Sequence, residues 1–182
     1  MSEAVSALKG RSQTGFATVA EAGPVGMVSL RADLGSAALA GALAALGLSV
    51  PGQRQVVGEG RLAAWMSPDE LLIFCAYEEA GQVVTDLSAA LSAEHALVVD
   101  VSDMRSVFTI TGAKGDEVLM KLCPVDFATL PQGEMRRTRA AQTGVALWRA
   151  GPEELRLICF RSVAGYVFGL LEAASRKGGE IF

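Results

Sequence analysis

The side chains with which this chain could do chemistry are one histidine, three scattered cysteines, a pair of aspartates and a run of arginines. His95 stands at a predicted helix-to-strand junction. Cys75, Cys123 and Cys159 are far apart, and no CxxC occurs. A metal centre needs clustered ligands of the right type, and that spacing is missing. A Ser-His-Asp or Cys-His site would have to rest on His95 alone, which reads instead as a surface or capping residue. Asp100 and Asp103 sit at a strand end. They could act as a general base and its partner, although aspartate at such a junction more often does turn chemistry. Gly112-Ala113-Lys114-Gly115-Asp116 precedes a helix but matches neither GxxxxGK[ST] nor GxGxxG. Asp116 and Glu117 also put negative charge where a phosphate would go. The residues therefore assign no catalytic, cofactor-binding or metal-binding role to this chain.

The arginines offer another kind of chemistry. Arg136, Arg137 and Arg139 form the densest basic cluster, with Met135 beside them and Pro131-Gln132-Gly133 before them. Such a run is either a solvated face or a docking contact, since Arg and Met are enriched at interfaces. Arg161 follows an apolar strand and precedes Ser162, a less usual place for a cation. It reads as an anchor for a carboxylate, within the fold or across an interface. These four residues are the candidate subunit interface.

The elements that must position them have clear punctuation. Ala96–Val101 reads as a buried strand and Arg105–Thr111 as a second strand. Ala113–Leu122 reads as a short helix stopped by Pro124. Upstream, residues 1–25 show little periodicity and read as an extended N-terminal arm. Gly26–Arg31 is a strand, and Asp33 is a candidate N-cap for a helix over Leu34–Leu46, ended by Gly47. Strands follow at Gln55–Val57, Arg61–Met66 and Leu71–Cys75, the last central to a sheet, and then a helix over Glu78–Leu91. Downstream, Thr138–Gln142, Val145–Arg149 and Leu155–Phe160 read as strands. Ser162–Arg176 reads as a helix capped by Ser162.

An internal repeat runs through these elements. Val28-Ser29-Leu30 aligns with Phe108-Thr109-Ile110, and Gly35 with Gly115. Trp65 aligns with Trp148. With one residue inserted in the turn, Pro68 meets Pro152, Glu70 meets Glu154, Cys75 meets Cys159 and Val83 meets Val167. Each half has the element order of a split βαβ, ferredoxin-like unit. The expected fold is α+β: two ferredoxin-like halves, over 26–101 and 102–182, with mostly antiparallel sheets and helices on one side, packed as one globular unit.

Composition narrows the classes. Half of the 182 residues are hydrophobic and a fifth charged, with net charge −4, so general nucleic-acid affinity is not expected. Residues 1–95 carry 5 basic and 10 acidic side chains, residues 96–182 carry 11 and 10. A chain of this size buries about 70% of its unfolded surface. It needs no disulfides, and the cysteines read as buried, reduced thiols of a cytoplasmic protein. Glu3 and the missing apolar core argue against a signal peptide. Leu34–Val50 falls short of a membrane span of about 20 residues.

VVDVSDMRSVFTITGAKGDEVLMKLCPVDF (98–127), LPQGEMRRTRAAQTGVALWR (130–149) and LRLICFRSVAGYVFGLL (155–171) resemble the gamma subunits of heterotetrameric sarcosine oxidase. WMSPDELLIF (65–74) fits the same pattern. More distantly the pieces resemble the folate-binding aminomethyltransferases of the glycine cleavage T-protein family. That family has a DVSHM segment where Asp103 here replaces the histidine. Its paired-Asp segment corresponds to Thr143–Trp148, which has no acid. Its Asn-Ala strand end corresponds to Cys159-Phe160-Arg161-Ser162. The resemblance therefore implies the fold without the active site. It implies a non-catalytic subunit of a complex that demethylates sarcosine oxidatively to glycine, passing the one-carbon unit to tetrahydrofolate. It also implies alpha, beta and delta partner subunits, with FAD, FMN, NAD and tetrahydrofolate on those partners and no cofactor on this chain. An alternative on the same fold is a free-standing folate-binding protein or aminomethyltransferase-like enzyme, with Asp100 and Asp103 as its acids. A third is self-association of an isolated subunit into a homo-oligomer over its apolar docking face.

Overall fold

The computed structural model describes residues 4–182; Met1–Glu3, including the acid read above against a signal peptide, lie outside them. The chain opens with an antiparallel hairpin, β1 (Ser12–Thr14) and β2 (Thr18–Glu21). It belongs with residues 104–182, because the chain divides into two compact units, one of residues 25–103 and the other of the two flanking segments.

The 25–103 unit contains β3 (Gly26–Arg31), α1 (Ala37–Ala45), β4 (Val56–Val57), β5 (Leu62–Ser67), β6 (Glu70–Cys75), α2 (Ala80–Ala90) and β7 (Leu97–Asp100). Its sheet runs β4-β5-β6-β3-β7, all antiparallel. Leaving aside the short β4, this is the strand order of a split βαβ unit. Every residue of β6 is buried, as expected of a continuous apolar run in mid-sheet. Leu39 and Leu43 of α1, with Val83 and Leu87 of α2, close over Leu30, Leu71 and Ile73.

Two local expectations change in this unit. The cap of α1 is Ser36, whose Oγ accepts from the Ala38 and Leu39 amides, while Asp33 instead accepts from Gly35 N at 2.9 Å. Asp33 makes the turn before the helix, and the helix starts one turn later. The apolar run at 96–101 is also not a buried strand. β7 is the sheet edge, with Leu97 55% and Val99 38% exposed. An apolar run reports strand propensity; its neighbours decide whether it is central.

The other unit contains β8 (Arg105–Thr111), α3 (Gly115–Met120), β9 (Met135–Ala140), β10 (Thr143–Gly151), β11 (Glu154–Phe160) and α4 (Ala164–Ala174). Its sheet runs β1-β2-β8-β11-β10-β9. The split βαβ order here lacks a last strand after α4, and β2 supplies it from the other end of the sequence. Val19 pairs with Ile110 and is fully buried in a core with Phe108, Leu157, Val167 and Phe168. The predicted extended arm is thus held by β8. Glu21 fastens it further, accepting from Ser6 Oγ at 2.7 Å, Leu8 N at 3.0 Å and Gly10 N at 2.9 Å. Gly15 passes so close to Ser175 that a Cβ there would meet its carbonyl oxygen. α4 has no side-chain cap: Ser162 lies in a 3-10 turn, Arg161–Val163, that leads into it.

β9 and β10 are joined through Ala141, at φ 49° with its amide bonded to Leu122 O at 2.9 Å. A left-handed conformation costs a non-glycine residue about 1–2 kcal/mol. Glycine would relieve that cost but lose about 0.5–1 kcal/mol of unfolded-chain entropy. Ala141→Gly should therefore stabilise the unit by about 0.5–1 kcal/mol, and Ala141→Val should destabilise it. Urea midpoints of the two variants check this.

Pairing registers define the repeat at residue level. Val28 pairs with Ile73 and Phe108 with Leu157, which confirms the alignment of β3 with β8. The tryptophans do not correspond. The two hairpin turns have equal length, with Ser67 opposite Glu70 and Gly151 opposite Glu154. Leu71 then pairs with Trp65, while its counterpart Leu155 pairs with Arg149. Trp65 occupies the place of Arg149, and the inserted residue disappears. A one-residue slip changes the face of the sheet: Trp65 packs on the helix-side core of its unit, whereas Trp148 is buried on the face away from the helices.

Candidate docking surface

The four arginines do not form one cluster. β9 alternates, so successive residues take opposite faces. Arg136 pairs with Leu147, a helix-side core residue, and forms a close ion pair with Glu134. Arg137 and Arg139 lie on the other face, exposed, opposite Ala146 and Gly144. The Arg139 guanidinium donates to Ala141 O at 3.3 Å. Among the described residues Arg161 meets no carboxylate; its Nη2 donates to Val5 O at 2.7 Å and holds the N-terminal segment.

The register adds two residues that the sequence reading missed. Ala146 pairs with Ile158 and Arg105 with Phe160. Continuing the β10–β11 ladder by two residues sets Gly144 across from Phe160. Arg139, Gly144, Phe160 and Arg105 thus fall on one line across the sheet, on the face away from the helices. Phe160 is 53% exposed, and the Arg105 guanidinium lies 5.6 Å from its ring centroid. An aromatic ring flanked by arginines is the composition of an interface anchor. The available signal was an aromatic residue at the last position of a largely buried strand.

The other candidates resolve into structural roles. Asp100 Oδ1 accepts from Ser102 N at 2.9 Å and Ser102 Oγ at 2.5 Å, while Ser102 Oγ accepts from Met27 N. This is turn chemistry that pins the end of β7. Asp103 accepts from Tyr77 OH at 3.1 Å. His95 is exposed in the turn before β7. In the glycine-rich turn Gly112 has φ 121°, and the nearby Glu117 carboxylate accepts from the Ile181 and Phe182 amides. Those bonds, the Ile181 one first, lower the Glu117 pKa. Among the described residues no group of three His, Cys, Asp or Glu side chains is placed to hold a metal ion.

All three cysteines are free and buried. Burial pushes the Cys123 and Cys159 thiols up to about 12 and raises Cys75 as well. Thiolates, not thiols, are the reactive form. At pH 8 a thiol reagent should label none of them in the folded chain and all three in urea, by mass spectrometry. Above the ordinary thiol value of 9.0 the unfolded chain releases protons that the folded chain keeps, so stability should fall as pH rises from 9.0 toward about 12.

Comparison with known proteins shows the family and the fold. Residues 31–177 match the family model described as sarcosine oxidase, gamma subunit family. The sarcosine oxidase subunit gamma of an Arthrobacter species is 38% identical over 131 residues, covering 69% of this chain and 64% of that protein, so the matched region spans just under two thirds of its length. A chain of the heterotetrameric sarcosine oxidase from Corynebacterium sp. U-96, solved in complex with pyrrole 2-carboxylate, superposes with a TM-score of 0.81. It shares 30% identity and covers 87% of this chain and 83% of that one. The glycine cleavage system aminomethyltransferase T from Bartonella henselae superposes with a TM-score of 0.70 at 11% identity, over 90% of this chain and 47% of that one, and shares the fold.

Proposed function

Because the chain belongs to the sarcosine oxidase gamma subunit family, we propose that it is the non-catalytic gamma subunit of a cytoplasmic sarcosine oxidase complex. The complex would convert sarcosine oxidatively to glycine and pass the one-carbon unit to tetrahydrofolate. FAD, FMN, NAD and tetrahydrofolate would bind to alpha, beta and delta partners. The role of this chain would be to dock on the flavoprotein large subunit and stabilise the assembly. The observation that carries the reading is the superposition on a chain of a sarcosine oxidase heterotetramer over most of both lengths. The tying of Asp100 and Asp103 into structural hydrogen bonds also supports it.

The test is co-expression with the partner subunits and isolation through a tag on this chain. Flavin-containing partners with sarcosine-dependent peroxide formation are expected. Recovery of this chain alone, with a fully active complex assembled without it, would refute the reading.

The exposed end of the sheet face away from the helices, at Arg137, Arg139 and Phe160, supplies the contact. Arg137 and Arg139 offer two guanidinium groups to an acidic surface, and Phe160 the apolar anchor. Arg137→Ala with Arg139→Ala should weaken docking by about 1–3 kcal/mol, mostly as faster dissociation at physiological salt. The melting temperature of the free chain should hold. Arg136→Ala, on the opposite face, should act on stability instead. Biolayer interferometry on the purified partners, with thermal melts of the free variants, separates the two effects.

A further inference from the structure

The edges of the two sheets are not alike. β9 is guarded by arginines, β1 is polar and exposed, and β4 is two residues long. Such devices keep an edge from pairing with a foreign strand. β7, Leu97-Val98-Val99-Asp100, has none of them. It carries no Lys, Arg or Pro, and its two outward side chains are exposed aliphatics. Val101 N donates to Met27 O at 2.8 Å. Antiparallel pairs alternate, so Val99 and Leu97 continue that ladder against β3, and the Val98 and Asp100 peptide groups turn to the open side.

The other unit shows the same position filled. β2 occupies the place in its sheet that β7 occupies here, next to the first strand of the split βαβ unit. On the outer side of β2 lies a further strand, β1, with Gln13 opposite Val19. Beyond β7 there is no strand among the described residues. Charge says what kind of strand would fit. Residues 25–103 hold 3 basic and 10 acidic side chains, and no Lys or Arg occurs from 62 to 104. Glu94 and Asp100 stand exposed near the two ends of β7.

We infer that the open edge of β7 takes up an extended segment of a partner subunit as an added antiparallel or parallel strand. Its apolar side chains would cover Leu97 and Val99, and Lys or Arg side chains would meet the acidic flanks. This is strand addition, in which main-chain hydrogen bonds give affinity and alternate side chains give specificity. It rests on the assembly reading and names a second contact for it, separate from Arg137, Arg139 and Phe160.

The experiment is hydrogen–deuterium exchange of this chain, free and in the purified complex, beside the variant Leu97→Lys with Val99→Lys. Both substitutions lie on the exposed side of an edge strand, so the free variant should keep its melting temperature. The amides of Val98 and Asp100, which face the open side, should exchange fast in the free chain and slowly in the complex. The variant should recover about tenfold less partner subunit at physiological salt. If the wild-type chain assembles but the Val98 and Asp100 amides exchange equally fast in both states, or the variant assembles as well as wild type, strand addition at β7 is overturned while the assembly reading stands. If the wild-type chain brings down no partner, the assembly reading itself fails. If the free chain is a dimer that the variant dissolves, the occupant is a second copy, and the partner assignment is overturned.

Discussion

A chain lacking residues 1–21 should lose the cooperative fold of the unit built from residues 104–182. Without β2, the sheet exposes the edge of β8, and Val19 no longer covers Ile110 and its neighbours. Burying a valine side chain is worth about 1.5–3 kcal/mol. The four-residue ladder between Thr18–Glu21 and Phe108–Thr111 adds net hydrogen bonds of about 1 kcal/mol each. Their sum is several kcal/mol, comparable with the whole stability of a domain, about 5–15 kcal/mol. The truncated chain should lose near-UV circular dichroism and aggregate. An unchanged urea midpoint would mean that β2 is not part of this core. Glu21→Ala is the milder version. It leaves Ser6 Oγ and the Leu8 and Gly10 amides without their acceptor, and should cost about 1–3 kcal/mol.

Phe108→Ala should destabilise by about 3–5 kcal/mol, the range for emptying an aromatic site in a close-packed core. Phe108 is fully buried in the central strand of the sheet, with its ring centroid 6.0 Å from that of Phe168. Little can collapse into the space, because Val19, Leu157 and Phe168 are held by strands and a helix. Phe160→Ala makes the control, with the same residue types in the same sheet. Phe160 is exposed at a strand end, so its removal should shift stability by no more than about 0.5 kcal/mol. Its effect should appear in partner binding. Equal losses of stability would contradict the division between core and docking face, and denaturant titrations of both variants decide it.

These two phenylalanines also show what kind of information the chain carries openly. The alternation around Phe108 and the apolar run at 71–75 are local patterns, and the structure places both strands in mid-sheet. The glycines and prolines that separate the elements act within a few residues of themselves, so Gly47 and Pro124 were legible as stops. The repeat was legible too, because βαβ units follow a fixed order of elements. Those features made the fold class readable, and the motifs from 98 to 171 made the family readable.

What needed the tertiary structure was everything that depends on neighbours distant in sequence. The apolar run 97–100 looks the same whether a strand lies on one side of it or on both; only the pairing of β3 with β7 leaves it at an edge. Residues 12–21 have weak periodicity, and become strands because β8 offers an unpaired edge. Arg136, Arg137 and Arg139 are adjacent in sequence, yet the pleat sends the first to one face and the other two to the opposite one. Phe160 joins Arg105 and Arg139 only through the register of three strands. Amino-acid order sets propensity and alternation, which act over a few residues. Which edge is open and which side chains share a surface is set by hydrogen-bonded pairing between segments tens of residues apart, as between Thr18 and Thr111.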